Sequence, residues 1–136
     1  MNETAKFLGA EADWEKASIA LNDIQGLWGG RAVTATGAGG VVVEQRGPVL
    51  RSGYFTAQLS ESETRALFRR FIEQDFLTIA ISPRPGIPDE AHPQIALTNA
   101  SGAAHTVGKW ARQSEARFDA LYAALNALAR RLAGDT

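Results

Sequence analysis

The 136-residue sequence contains no cysteine. That absence removes disulfides, thiolate nucleophiles and thiolate metal ligands together. It also lacks an excess of charge, since 14 Lys and Arg stand against 15 Asp and Glu for a formal net charge of −1. The basic residues are dispersed rather than gathered into a stripe, so a sequence-independent grip on nucleic acid is excluded from the expected partners. No stretch approaches the roughly 20 apolar residues of a membrane span, and membrane association is not expected. The first 14 residues carry Glu3, Lys6, Glu11 and Asp13 with no apolar run of signal-peptide length. The expectation is a soluble cytoplasmic protein. With 45% hydrophobic and 21% charged residues, the chain has ordinary globular composition. We expect one domain over 1–136, with residues 1–16 as a loosely ordered N-terminal extension.

The most informative run present is Gly37-Ala38-Gly39-Gly40, entered from Arg31-Ala32-Val33-Thr34-Ala35-Thr36 and left through Val41-Val42-Val43-Glu44. A phosphate cradle needs a helix N-terminus after its glycines, and a valine run follows here instead. The glycines therefore read as a hairpin turn. With Gly39 left-handed, a three-residue turn pairs Val33 with Val43 and Ala35 with Val41, giving one apolar face.

Further elements follow from period and punctuation. Ala17, Ile19 and Leu21 alternate as a strand, and residues 26–30 form a Gly-flanked loop. Phe55, Ala57 and Leu59 share one side of a strand over 53–59. Ser60-Glu61-Ser62-Glu63 matches a capping box, opening a helix with Leu67, Phe68, Phe71 and Ile72 on its apolar stripe and ending near Asp75. Pairs Glu61–Arg65 and Arg69–Glu73 sit four apart on its wet side. The apolar run 76–81 reads as a central strand. Residues 82–93 carry Pro83, Pro85, Pro88 and Pro93, a stiff exposed loop that forbids ladder pairing. Ile95 pairs with Val107 across a turn at Gly102, which sets His105 opposite Leu97. Ser114 caps a final helix with Phe118, Leu121, Tyr122, Leu125, Leu128, Ala129 and Leu132 on one face and Gly134 as its stop. Hairpins dominate and no βαβ alternation occurs. The expected fold is α+β, a single antiparallel sheet with two helices packed on one face.

Reaction centres are sparse. His92 and His105 cannot share a metal, because His105 faces Leu97, five positions or roughly 16 Å along a strand from His92, while ligands must lie about 2 Å from one ion. No G-x-S-x-G elbow precedes any serine. Glu61 and Glu63 open a helix, and Asp89 and Glu90 sit in the proline loop, so neither pair reads as an acid–base dyad. We expect no catalytic residues, no metal and no cofactor. Binding signals are stronger. Gly26-Leu27-Trp28-Gly29-Gly30-Arg31 displays Trp28 and Arg31 between glycines, and these residue types are enriched at interface hot spots. The proline loop offers Pro85, Asp89, Glu90 and His92 on a segment that loses little entropy when bound. The alternative is a small-molecule site between sheet and helices, lined by Phe55, Phe71, Tyr122 and Trp110.

The chain resembles the emfourin-type proteins, small α+β inhibitors of thermolysin-like metalloproteases, and related uncharacterised domains. The resemblance is carried by the strand leading to Trp28-Gly29-Gly30, by Leu59 before Glu63 and Leu67, and by Asp75-Phe76 at the helix end. It continues through Pro88-Asp89 before Ile95, through His105-Thr106-Val107, and through Phe118, Leu121 and Leu125 in the closing helix, covering most of 17–132. The chain departs from it in its N-terminal segment and in the region from Gly37 to Gly53. The resemblance implies a non-enzymatic protein-binding domain of the protease-inhibitor kind, with a metalloprotease as partner, and transfers no individual contact residue.

Overall fold

The computed structural model describes residues 2–26, 29–48 and 50–134. Alternating side chains build a six-stranded antiparallel sheet of β1 (Ser18–Gln25), β2 (Gly29–Thr36), β3 (Gly40–Arg46), β4 (Gly53–Gln58), β5 (Gln94–Thr98) and β6 (Ala104–Gly108). Its order is β4-β3-β2-β1-β5-β6. The expected registers hold, with Val33 opposite Val43, Ala35 opposite Val41, Ile95 opposite Val107 and Leu97 opposite His105. Gly39 has φ 101°, the left-handed turn position. Gly37 is required by close approach instead, because a Cβ there would lie 1.5 Å from the Trp14 carbonyl oxygen.

One face of the sheet is covered. Reading the pairing across all strands gives a row Ala57, Val41, Ala35, Ile19, Leu97 and His105, then a second row Phe55, Val43, Val33, Leu21, Ile95 and Val107. The inner members are almost completely excluded from solvent, and they pack under α2 (Glu61–Glu73) and α3 (Ala116–Ala133) through Phe68, Phe71, Phe118, Leu121 and Leu125. The fold is thus the α+β sheet with helices that the alternation predicts. α2 begins as expected, its Glu63 N–H donating to the Ser60 hydroxyl at 3.2 Å. The Glu63 carboxylate, however, accepts from Arg131. Arg65 pairs with Glu61, whereas Arg69 turns to Glu11 rather than Glu73.

Three expectations are corrected. Residues 76–81 form no strand; Phe76–Thr78 is a 3-10 turn followed by extended chain. Asp75 turns left-handed at φ 45° as α2 ends. The segment's polar groups then find partners outside any ladder, because Leu77 N–H donates to the Thr4 hydroxyl and Arg117 donates to the Thr78 hydroxyl and carbonyl. Phe76 is buried between Phe71 and His105, with ring centroids at 5.2 and 5.6 Å. The central place in the sheet belongs to β1. The second correction concerns α3, which is capped by Glu115, its carboxylate accepting from the Arg117 N–H at 3.2 Å, and not by Ser114.

The third concerns residues 2–16, where loose order was expected. They fold as α1 (Glu3–Leu8) and a 3-10 turn (Glu11–Lys16), with Leu8 and Trp14 in the core. Asn2 accepts from Ala5 N–H and donates to the Ile72 carbonyl at 2.6 Å, adding a side-chain donor to a carbonyl at the end of α2 that the Asp75 N–H also reaches at 2.9 Å. Thr4 donates twice to Asp75. Against the upward push of its burial, these hydrogen bonds hold the Asp75 carboxyl below its ordinary range.

Candidate functional site at the loop end of the sheet

The end of β1 and the start of β2, the proline loop and the β6–α3 connection lie at one end of the sheet. There a third row on the covered face is polar: Asp23 stands opposite Arg31, and Arg31 opposite Gln45. These positions keep the parity of Leu21, Val33 and Val43, so their side chains enter the same layer. α3 crosses beneath them and answers the first two. Tyr122 hydroxyl donates to Asp23 in a short hydrogen bond, and Arg31 donates to Asn126 at 3.0 Å and to Gln45 at 2.6 Å. Gln45 in turn donates to the Arg51 carbonyl, and Arg51 donates to the Ala133 carbonyl. Burial, with the Asp23 hydrogen bond and charge added, raises the Tyr122 phenol far above its ordinary pKa and keeps its proton on oxygen.

Beside this row is a cleft of about 210 Å³ lined by Asp23, Ala91, Pro93, Lys109, Ala111, Phe118, Asp119 and Tyr122. Lys109 is buried at 5% exposure, donating to the Gln113 carbonyl at 2.6 Å and pairing with Asp119 at 3.1 Å. Its polar groups are therefore bound to one another. The cleft is also below the roughly 300–1,000 Å³ usual for small-molecule sites.

The proline loop is stapled from within. Glu90, whose side chain is 3% exposed, accepts from the Arg84 guanidinium at 2.5 Å and from the N–H groups of Arg112 at 2.8 Å and Ile87 at 3.3 Å. The Arg84 hydrogen bond leads in lowering its pKa to about 2, helped by those two backbone donors. Glu90 N–H returns to the Ile87 carbonyl at 2.9 Å, closing a turn with Pro88 at one corner and Asp89, at φ 66°, at the other. Trp110 forms the platform below. Its indole N–H donates to the Arg84 carbonyl at 3.1 Å, its ring stacks on His92 at 4.2 Å, and Arg84 lies over it. Gly86 approaches the ring so closely that a Cβ would fall 2.3 Å from Trp110 Cη2. Above this base Pro83, Pro85, Pro88 and Asp89 are exposed, and Ile87 is 44% exposed at the crest.

The expected site residues thus separate. Trp28 lies outside the described residues; Gln25 and Gly29, on either side of it in the sequence, are paired. Arg31 is 8% exposed and internal. Pro85 and Asp89 are displayed, Glu90 is the staple, and His92 is a stacking partner of Trp110. Among the described residues His92 makes no hydrogen bond with Asp89, and no group of three or more His, Asp or Glu could hold a metal ion. Phe55, Phe71, Tyr122 and Trp110 do not line a common cavity, since Phe71 is wholly buried in the core and Phe55 lies under Arg51. The sequence reading missed Asp23, Gln45, Lys109, Trp110 as platform, and Asn126. Continued strand parity signalled the first two.

No helix among the described residues is long and apolar enough to cross a membrane. Compared with known proteins, the chain matches no family model, no curated protein and no solved structure.

Proposed function

We propose that this chain is a non-catalytic protein-binding domain whose binding element is the proline loop, with Ile87 at its crest and Pro85 and Asp89 beside it. The supporting observation is the staple. An exposed loop with an apolar crest is held from inside by Glu90, Arg84 and Trp110, so little ordering entropy is left for a partner to overcome. Trp28, which lies outside the described residues, is carried as the second binding element of the same proposal. A metalloprotease is the partner class implied by the resemblance, and a cytoplasmic setting is carried as part of the same proposal. The small-molecule alternative has little support at the cleft beside Tyr122, which is small and internally paired.

The test is capture from native lysate on immobilised wild type, Ile87→Asp and Trp28→Ala, run beside inhibition of a thermolysin-type protease. Ile87→Asp adds a charge at an exposed position and should leave the melting temperature unchanged while removing a captured protein or the inhibition. Identical capture by all three proteins, with no inhibition by any, refutes the proposal.

A further inference from the structure

The sheet has two edges, and they are treated differently. Leu59 N–H donates to the Gly39 carbonyl. Alternation then turns the N–H and C=O groups of Phe55 and Ala57 toward β3 and those of Tyr54, Thr56 and Gln58 outward. Among the described residues these outward groups have no backbone partner. The edge carries none of the usual protection, since Gly53–Gln58 contains no proline and no charged residue. Its side chains are also incompletely covered. Phe55 and Ala57 are half-buried, and Tyr54 is 70% exposed. The β6 edge, Ala104–Gly108, likewise lacks proline and any Asp, Glu, Lys or Arg, but it is one residue shorter and its Gly108 end lies against His92, whose ring a Cβ there would meet at 3.1 Å.

We infer that the β4 edge is a self-association surface whose partner is a second copy of this chain, joined antiparallel about a two-fold axis at Thr56. Two copies related in this way place Thr56 opposite Thr56 and Tyr54 opposite Gln58, and each such pair exchanges two backbone hydrogen bonds. All three outward residues of each copy are used. On the helix-covered side Phe55 falls opposite Ala57, large against small, in the closer non-hydrogen-bonded position. Beyond the strand ends, antiparallel pairing brings Arg51 of one copy toward Glu61 and Glu63 of the other, and each of these exposed carboxylates also holds an arginine of its own copy, Arg65 and Arg131. This isologous arrangement closes at two copies at this edge. A six-residue strand pair is a small interface, so the dimer should appear only at high protein concentration.

Sedimentation equilibrium over a wide concentration range, with amide exchange on the same samples, tests this. Wild type should rise from its 14.6 kDa mass toward twice that value, and the Tyr54, Thr56 and Gln58 amides should gain protection as it does. Thr56→Pro removes the N–H at the axis, which the ladder within one copy does not use, and should weaken association by at least about tenfold. Thr56→Glu places like charges together at the axis and should do the same. It substitutes an exposed side chain and so provides the folded control if the proline variant unfolds. Wild type remaining at single-chain mass throughout, or both variants associating as wild type does, overturns the inference.

Discussion

Replacing Gly86 by alanine should unseat the proline loop while leaving the sheet intact. Gly86 shows no left-handed φ, so the effect comes from space alone. The new methyl would lie 2.3 Å from Cη2 and 2.7 Å from Cζ2 and Cζ3 of Trp110, where carbon atoms normally rest about 3.5–4.0 Å apart. Either the ring or the loop must move by more than roughly an ångström. The ring is restrained by its hydrogen bond to the Arg84 carbonyl and by the His92 stack. Overpacking of this kind costs about 1–3 kcal/mol. Local opening of the loop relieves it at lower cost than global unfolding, so the effect belongs in local exchange. The Ile87, Glu90 and Arg112 amides, all fixed by the staple, should exchange about 5- to 150-fold faster, the equivalent of that energy. The Ile19 and Val43 amides should be unchanged. Equal exchange at Ile87 and Glu90 in wild type and variant would show that Trp110 does not seat the loop, and would refute this reasoning.

Three other outcomes follow from the same structure. Gly37→Ala should destabilise the fold by at least about 3 kcal/mol, because the Cβ meets the Trp14 backbone rather than a movable side-chain tip; denaturant titration measures it. Arg31→Met should cost about 2–4 kcal/mol by leaving Gln45 and Asn126 oxygens without their donor in a buried layer, and an unchanged unfolding midpoint would contradict the polar row. Glu90 has a folded pKa lowered from 4.5 to about 2. Its contribution to stability is therefore complete above pH 4.5 and is lost as pH falls through about 2. Loop amide protection followed over that range should fall in wild type, and Glu90→Gln should flatten the dependence.

Much of this fold is legible in the sequence because it is written locally. Val33 and Val43 announce their pairing through a period of two and a glycine at the left-handed turn position, and Ser60 and Gly134 mark helix ends by short-range chemistry. What was missed depends on partners remote in the chain. The run from Phe76 to Ile81 is apolar enough for a strand, but Thr4 and Arg117 hold its polar groups from 73 and 39 positions away. Nothing within the segment signals them. Of the candidate site, Pro85 and Asp89 emerge on the surface where proline content puts them. Arg31 and Glu90 are internal because each found a buried acceptor or donor set, and side-chain charge alone does not distinguish display from stapling. The Trp110 platform was hidden for a similar reason, since its seat under Gly86 lies 24 residues back along the sequence.

The central claim is that a stapled loop with an apolar crest is the binding element, and the most direct measurement compares what wild type and Ile87→Asp retain from the same lysate at matched loading. The account predicts at least one protein held by wild type and reduced at least about tenfold on the variant, with identical melting curves. The same proteins retained in the same amounts by both would contradict it.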